Sequence, residues 1–580
     1  MFEENIKLLE KVNKTLAIKI KNVPLKTSAE NLSALKNEQG EYILVQDKKY
    51  IDDIPSPLEA AKEIYSQSIK NAVSRHDFIV IFGLGLGNLL DYTHQKSISN
   101  LILYEPDLNI LRFTFEYVDL SIYFADGRLY VSDSIQDCTS YLEEKYLLDD
   151  KIEFVYLKNY CLQHSSEFNV LLERIYNVCN SKIIDMNTTK KLSKDWVKNE
   201  FANLMTDKVT YPLNILKNKF KGKTALILGA GPSLKDNLEN IKKHRDKFVI
   251  FAVHRTLDTL INNDIIPDFC VVVDAKWLVY ALNPEHKRFE EINFIADIKA
   301  DRYIQQLPSK NFFIYYSKNN IIGDKLKTKL SDDIELLETG GTSTICAYRC
   351  AVYLGFKNII FAGIDLAFKD DTVYCDGKIA AANDTHSVKI QNIVREITKV
   401  KSITGEYVTT RADYANFIKQ FETIFSQDRN SNIYNLTTFG AFINGMKYKP
   451  LDEIISSLDF QDINQEEVVE TSKQEHENLP KKIKQAAIQI IEQEKEKIKP
   501  IVDLINEWFE MYENHPSFFD YAANIITKIT STMILQDCVQ IELIKFSKLV
   551  VSNNENEKKE FLVDLFRVIL DYYKNLDNLI

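Results

Sequence analysis

The order of apolar runs and glycine turns predicts an α/β protein: two Rossmann-like, doubly wound parallel-sheet domains followed by a C-terminal α-helical domain. Three observations carry this. A β-like run ending in a glycine-rich turn occurs twice, over residues 78–87 and again over residues 224–233. Each is followed by further apolar runs separated by stretches of helical periodicity, and that alternation makes neighbouring strands parallel. Beyond Pro480 the apolar residues recur at helical spacing alone. A chain of 580 residues exceeds one core. The predicted domains are an N-terminal α/β domain with a cap region (1–190), a central α/β domain (191–450), and an acidic linker with helices (451–580).

In the N-terminal domain, residues 42–45 predict a strand, and residues 56–73 a helix with Pro57 in its first turn. Strands follow over 78–82, 100–104 and 152–157, the second ending in Glu105. A helical connection rich in Lys and Asn leads to the central domain. There strands are predicted over 224–228, 248–252, 269–273, 293–296, 312–316 and 358–362. A helix over 343–354 is stopped by Gly355, as a glycine just past a helix end does. The stretch 452–477 is acidic and poor in aromatics, which predicts a mobile linker or a solvated helix. Helices follow it, with Pro500 interrupting one run.

Composition excludes several functions. A formal charge of −11 opposes non-specific nucleic-acid binding, which needs a basic face. No apolar run approaches the roughly 18 residues that span a bilayer, and the first residues do not read as a leader, so no membrane insertion is predicted. Eight scattered cysteines without a C-x-x-C pair fit a reducing, cytoplasmic setting and argue against zinc. Cys346 and Cys350, four apart on a predicted helix, read as core.

The chemistry is concentrated in the central domain. Gly229-Ala230-Gly231-Pro232-Ser233 joins a strand to a helix, a geometry that aims backbone N–H groups at a phosphate. His254 and Asp274 stand at the ends of the next two strands, on the edge where α/β crevices bind ligands. Gly340-Gly341-Thr342-Ser343 opens another helix; Gly363-Ile364-Asp365 ends a strand and leads through Tyr374 to His386. Ser233 and Ser343 read as helix N-caps, and Asp365 and Asp274 read equally as carboxylates capping a nearby helix or turn.

This order of motifs resembles bacterial sialyltransferases of glycosyltransferase family 42 over residues 222–400. Most of the chain resembles the motility-associated factor (Maf) family of flagellin glycosyltransferases, including Ile433-Tyr434-Asn435-Leu436 and Phe439-Gly440-Ala441-Phe442-Ile443-Asn444-Gly445. The resemblance implies transfer of a nonulosonic acid, pseudaminic or legionaminic, from its CMP-activated form to Ser or Thr hydroxyls of flagellin in a bacterial cytoplasm. It implies His386 as the general base of an inverting displacement, Tyr374 as a donor to the leaving phosphate, and Ser343 as a donor contact. It puts His254 where the family has a cytidine-contacting Asn. The nucleotide site then comprises Gly229, Ala230, Gly231, Pro232, Ser233, His254, Asp274, Thr342, Ser343 and Asp365. Two positions depart from the family 42 pattern: Ala230 replaces an Asn and Ala367 a tyrosine. No Asp-x-Asp pair occurs, so neither a metal nor another cofactor is predicted.

Alternatives stand beside this reading. Archaeal pterin diphosphokinases resemble the same central domain and would move pyrophosphate from ATP; a non-catalytic flagellin-binding protein is a third possibility. The turn Gly83-Leu84-Gly85-Leu86-Gly87, with Glu105 on the next strand, also matches how S-adenosylmethionine methyltransferases hold their cofactor. No acceptor-site motif follows it, and a scaffold or docking role is favoured.

Overall fold

The computed structural model describes all residues but 25–30, 73, 148–149, 277, 279–281, 283–285, 319, 370–396, 461–463, 511–517, 533–534, 536–538, 550–554 and 578–580. The chain divides into two compact units, Met1–Thr189 with Ile541–Lys558 and Lys190–Gln540 with Lys559–Ile580. Both contain the expected parallel sheets, and helices make up the C-terminal part of the chain.

The first unit opens with two helices, Phe2–Val12 and Lys14–Asn22, followed by a small antiparallel sheet of β1 (Leu32–Lys36), β2 (Tyr42–Gln46) and β3 (Lys49–Tyr50). A parallel sheet follows, of β4 (Phe78–Phe82), β5 (Asn100–Tyr104), β6 (Leu129–Ser132) and β7 (Ile152–Tyr156) in the order β6-β5-β4-β7. β6 is absent from the sequence reading. The helix predicted over 56–73 spans Pro57–Ser68, with Ser56 accepting from the Glu59 N–H at 3.2 Å. It stops early because the Glu153 carboxylate of β7 captures the N–H groups of Lys70, Asn71 and Ala72 at 2.9–3.1 Å.

The second unit is built on a ten-stranded sheet whose pairings are all parallel. In chain order come β8 (Tyr211–Pro212), β9 (Thr224–Leu228), β10 (Val249–Val253), β11 (Phe269–Val272), β12 (Asn293–Asp297), β13 (Asn311–Ser317), β14 (Leu336–Leu337) and β15 (Asn358–Ala362). After a separate hairpin of β16 (Ile397–Lys401) and β17 (Tyr407–Arg411) come β18 (Asn432–Asn435) and β19 (Lys447–Tyr448). The sheet order is β14-β13-β12-β11-β10-β9-β15-β18-β19, with β8 beside β13. Strands β9 to β11 and β15 are apolar and buried on both faces, as helices on both sides of a parallel sheet require.

The helix Ser343–Leu354 matches its prediction, and Gly355 ends it at φ +103°, where an added Cβ would stand 3.0 Å from the Asn218 Cα. The acidic stretch resolves into helices Leu451–Ser457 and Gln465–Glu475, mostly solvated, the second burying Val469 and Ser472. Pro500 does not interrupt its helix: Leu479–Glu510 runs through it. The proline stands on the exposed face, while Ile498, Ile501, Ile505 and Trp508 hold the opposite face in the core.

Candidate functional site

Because every pairing in the large sheet is parallel, its strands all end at one edge. The strand order reverses at β9: β10 to β14 run out on one side, and β15, β18 and β19 on the other. Such a reversal leaves a crevice outside the carboxyl ends of the two central strands, the usual ligand site of an open α/β sheet. Gly229 to Ser233 follow β9, His254 follows β10, Asp274 follows β11 and Asp365 follows β15. Thr342 and Ser343 open the helix that packs across β9, β10 and β11.

The glycine turn is shaped by the loop beside it. Gly229 N–H donates to the Ala362 carbonyl at 2.9 Å, and Gly231 N–H to the Gly363 carbonyl at 2.8 Å. A Cβ on Gly229 would lie 2.6 Å from the Gly363 oxygen, and one on Gly231 2.6 Å from an Asp365 oxygen. The sequence reading reserves the following helix start for a donor phosphate; the structure fills it with Asp365. That carboxylate accepts from the Ser233 N–H at 2.8 Å, from the Ser233 hydroxyl, and from the Thr437 hydroxyl at 3.0 Å. Burial pushes Asp365 above the usual carboxylate range, against the pull of the Ser233 and Thr437 bonds and the Lys369 charge. Ser233 therefore occupies an N-cap position without capping, its hydroxyl being turned to Asp365.

A second group lies around β10 and β11. His254 is 4% exposed, and its Nε2 stands 3.1 Å from Oδ2 of the half-exposed Asp274. Burial holds the imidazole below its ordinary pKa, although Asp274 opposes the shift and Arg255 adds to it. A neutral ring satisfies the carboxylate by donating from Nε2, which makes the buried Nδ1 an acceptor; that atom has no hydrogen-bond partner. Thr342, not Ser343, caps the Ser343–Leu354 helix, accepting from the Ile345 N–H at 3.2 Å. One turn on, burial raises the Cys346 thiol to about 11, with Asp297 and Asp274 adding to the shift. The helix packs on β10 and β11, the strands that His254 and Asp274 follow. Tyr374 and His386 lie outside the described residues.

The sequence reading missed three parts of this edge. Thr437, two residues past β18, completes the Ser233–Asp365 cluster. Asp297, buried at the end of β12, has its carboxyl raised by desolvation. Asn199 and Asn203, on the helix Ser165–Met205, donate to the carbonyls of Ala275 and Lys299 and of Ile298 and Ala300, at 2.8–3.1 Å. Their spacing puts both on one helix face, a legible signal. The clamp covers the ends of β11 and β12 with helix. A cavity of about 540 Å³ lies at the opposite edge, between Asp268, Asn293, Lys310 and Glu470, where an Arg245–Asp268 ion pair of 2.8 Å ties strand starts together. Among the described residues no helix is long and apolar enough to cross a membrane, and no group of three or more His, Cys, Asp or Glu side chains is placed to hold a metal.

Residues 198–371 match a family model described as 6-hydroxymethylpterin diphosphokinase MptE-like. An uncharacterised protein of Treponema pallidum (strain Nichols) is 33% identical over 97 residues, which is 17% of this chain and 45% of that relative, so the chain spans under half the relative's length. The solved MAf glycosyltransferase of Magnetospirillum magneticum AMB-1 superposes with a TM-score of 0.64 at 13% identity, covering 100% of this chain and 96% of that one. The chain thus shares the fold of that solved structure along its whole length, and the family-model match is confined to its central α/β segment.

Proposed function

We propose that the chain is a nucleotide-dependent group transferase whose donor crevice lies where the central sheet reverses its strand order. The carrying observation is the assembly of His254, Asp274, Thr342 and Ser343 beyond the ends of β10 and β11, beside the Asp365-locked glycine turn. Since Asp365 already supplies the anion at the first helix start, the helix opened by Thr342 and Ser343 is the better position for a donor phosphate.

Two donors fit, and each has its own support. The match over residues 198–371 speaks more directly for ATP and pyrophosphoryl transfer to a pterin-like alcohol. The whole-chain likeness in fold supports the glycosyl reading: CMP-nonulosonate as donor, flagellin Ser or Thr as acceptor, His386 as base and Tyr374 on the leaving phosphate. Both reactions are single displacements by a hydroxyl, and both need a crevice that neutralises a departing phosphate. They separate by experiment. Full-length protein would be given CMP-nonulosonate with flagellin, and in parallel ATP, Mg²⁺ and 6-hydroxymethylpterin, with products weighed by mass spectrometry. A flagellin mass gain lost in His386→Ala supports the glycosyl reading. Pterin diphosphate with AMP supports the other. Tight flagellin binding without either product would make the chain a binding protein.

A further inference from the structure

The N-terminal unit has its own reversal of strand order, between β4 and β7, and the turn at residues 83–87 follows β4 there. A nucleotide cofactor of such a sheet would put phosphate on that turn and ribose on the acid ending the next strand, Glu105. The chain's own groups hold both positions. Leu86 N–H donates to Asp52 Oδ1 at 3.3 Å, and Leu44 N–H to Asp52 Oδ2 at 2.7 Å. A Cβ on Gly85 would stand 2.0 Å from the Asp52 carboxylate, and one on Gly83 2.7 Å from the Tyr160 ring. These glycines therefore admit side chains of this protein. Glu105 is fully buried and accepts from the N–H groups of Leu84 at 2.9 Å and Asp107 at 3.0 Å, and from the Tyr160 hydroxyl at 2.5 Å. Gly83 N–H and Gly87 N–H donate to the carbonyls of Tyr104 and Leu84. After β7, Asp53 accepts from the N–H groups of Lys158 and Asn159 at 2.9 and 2.8 Å.

We propose that residues 51–55 form a built-in carboxylate plug, Asp52 in the glycine turn and Asp53 on the β7 exit, which makes the N-terminal crevice a locked joint and not a second nucleotide site. The plug explains a glycine-rich turn and a strand-end acid without a cofactor, and it does not depend on which donor the central sheet takes.

Hydrogen exchange of the full-length protein, read by mass spectrometry of overlapping peptides, tests this. Peptides covering residues 83–87 should exchange slowly and stay unchanged on adding S-adenosylmethionine, NAD, ATP or CMP at millimolar concentration. Asp52→Asn should speed exchange at Leu44 and Leu86 about tenfold, with β5 remaining slow as the folding control. Glu105→Gln should do the same at Leu84, and provides a second reading should the first variant fold poorly. Saturable protection of residues 83–87 by any of the four ligands would overturn the plug, as would unaltered exchange in both variants. Protection confined to residues 229–233 or 342–346 would leave it standing.

Discussion

At the Asp365 carboxylate, one side chain gathers the Ser233 amide and the Ser233 and Thr437 hydroxyls into a pocket where it is 2% exposed. Removing it strands the Ser233 amide and leaves the Ser233 and Thr437 hydroxyls, 2.8 Å apart, only each other, and stranding a buried group costs more than its bond returns. Asp365→Ala should lower stability by about 2–4 kcal/mol and Asp365→Asn by roughly half that, read as a shift of the urea midpoint at constant slope. The plug residues make a pH prediction. Burial raises Asp52 from 3.8 to about 7 and Glu105 from 4.5 to about 7. Between those limits these two groups bind more protons in the folded state than in the unfolded one, so their contribution to stability is fully present below about pH 4 and is lost as pH rises through 7. The Asp52 share is on the order of 4 kcal/mol. Unfolding free energies across that window should therefore decline less steeply in Asp52→Asn than in the wild type; equal slopes would contradict the shift.

Elements whose cause is local matched their sequence signals. The helix Ser343–Leu354 has a cap before it and a left-handed glycine after it, and both act within a turn. Elements decided by distant partners did not. Glu153 ends a helix more than 80 residues away by taking three of its following amides. Pro500 reads as an interruption because it lacks an N–H and clashes with the preceding turn. The buried face of Leu479–Glu510, with Trp508 packed edge-on against Phe566 at 4.8 Å, holds the helix through it. Pro500→Ala, on the exposed face, should then raise stability by about 1–3 kcal/mol, as it restores a backbone bond and disturbs no packing. Thermal unfolding followed by circular dichroism would register it; a lower midpoint would mean that the proline shapes the helix.

Over the whole molecule, net charge bears on which ligands the chain can hold. With a net charge of −11 the chain should neither retain on heparin nor shift DNA at physiological salt, and a shift surviving there would demand a local basic face. The two glycine turns, at residues 83–87 and 229–233, read alike in sequence as phosphate cradles. In the structure both receive the chain's own carboxylates, Asp52 in the first and Asp365 in the second. Only the second belongs to an edge that also carries a His–Asp pair and another glycine-hydroxyl helix start.

The sequence by itself determined the class of fold, most strand positions and the order of the glycine turns. Alternation of apolar runs with helical periods, glycine at left-handed turns and capping hydroxyls all act over a few residues, and a single chain displays them. The tertiary structure alone decided that β9 is the reversal strand, that Thr437 and Asp52 reach the two turns from 204 and 34 residues away, and that His254 is buried beside Asp274. Those facts depend on which strands lie side by side. That arrangement follows from burying the whole apolar surface at once, and no local pattern encodes it.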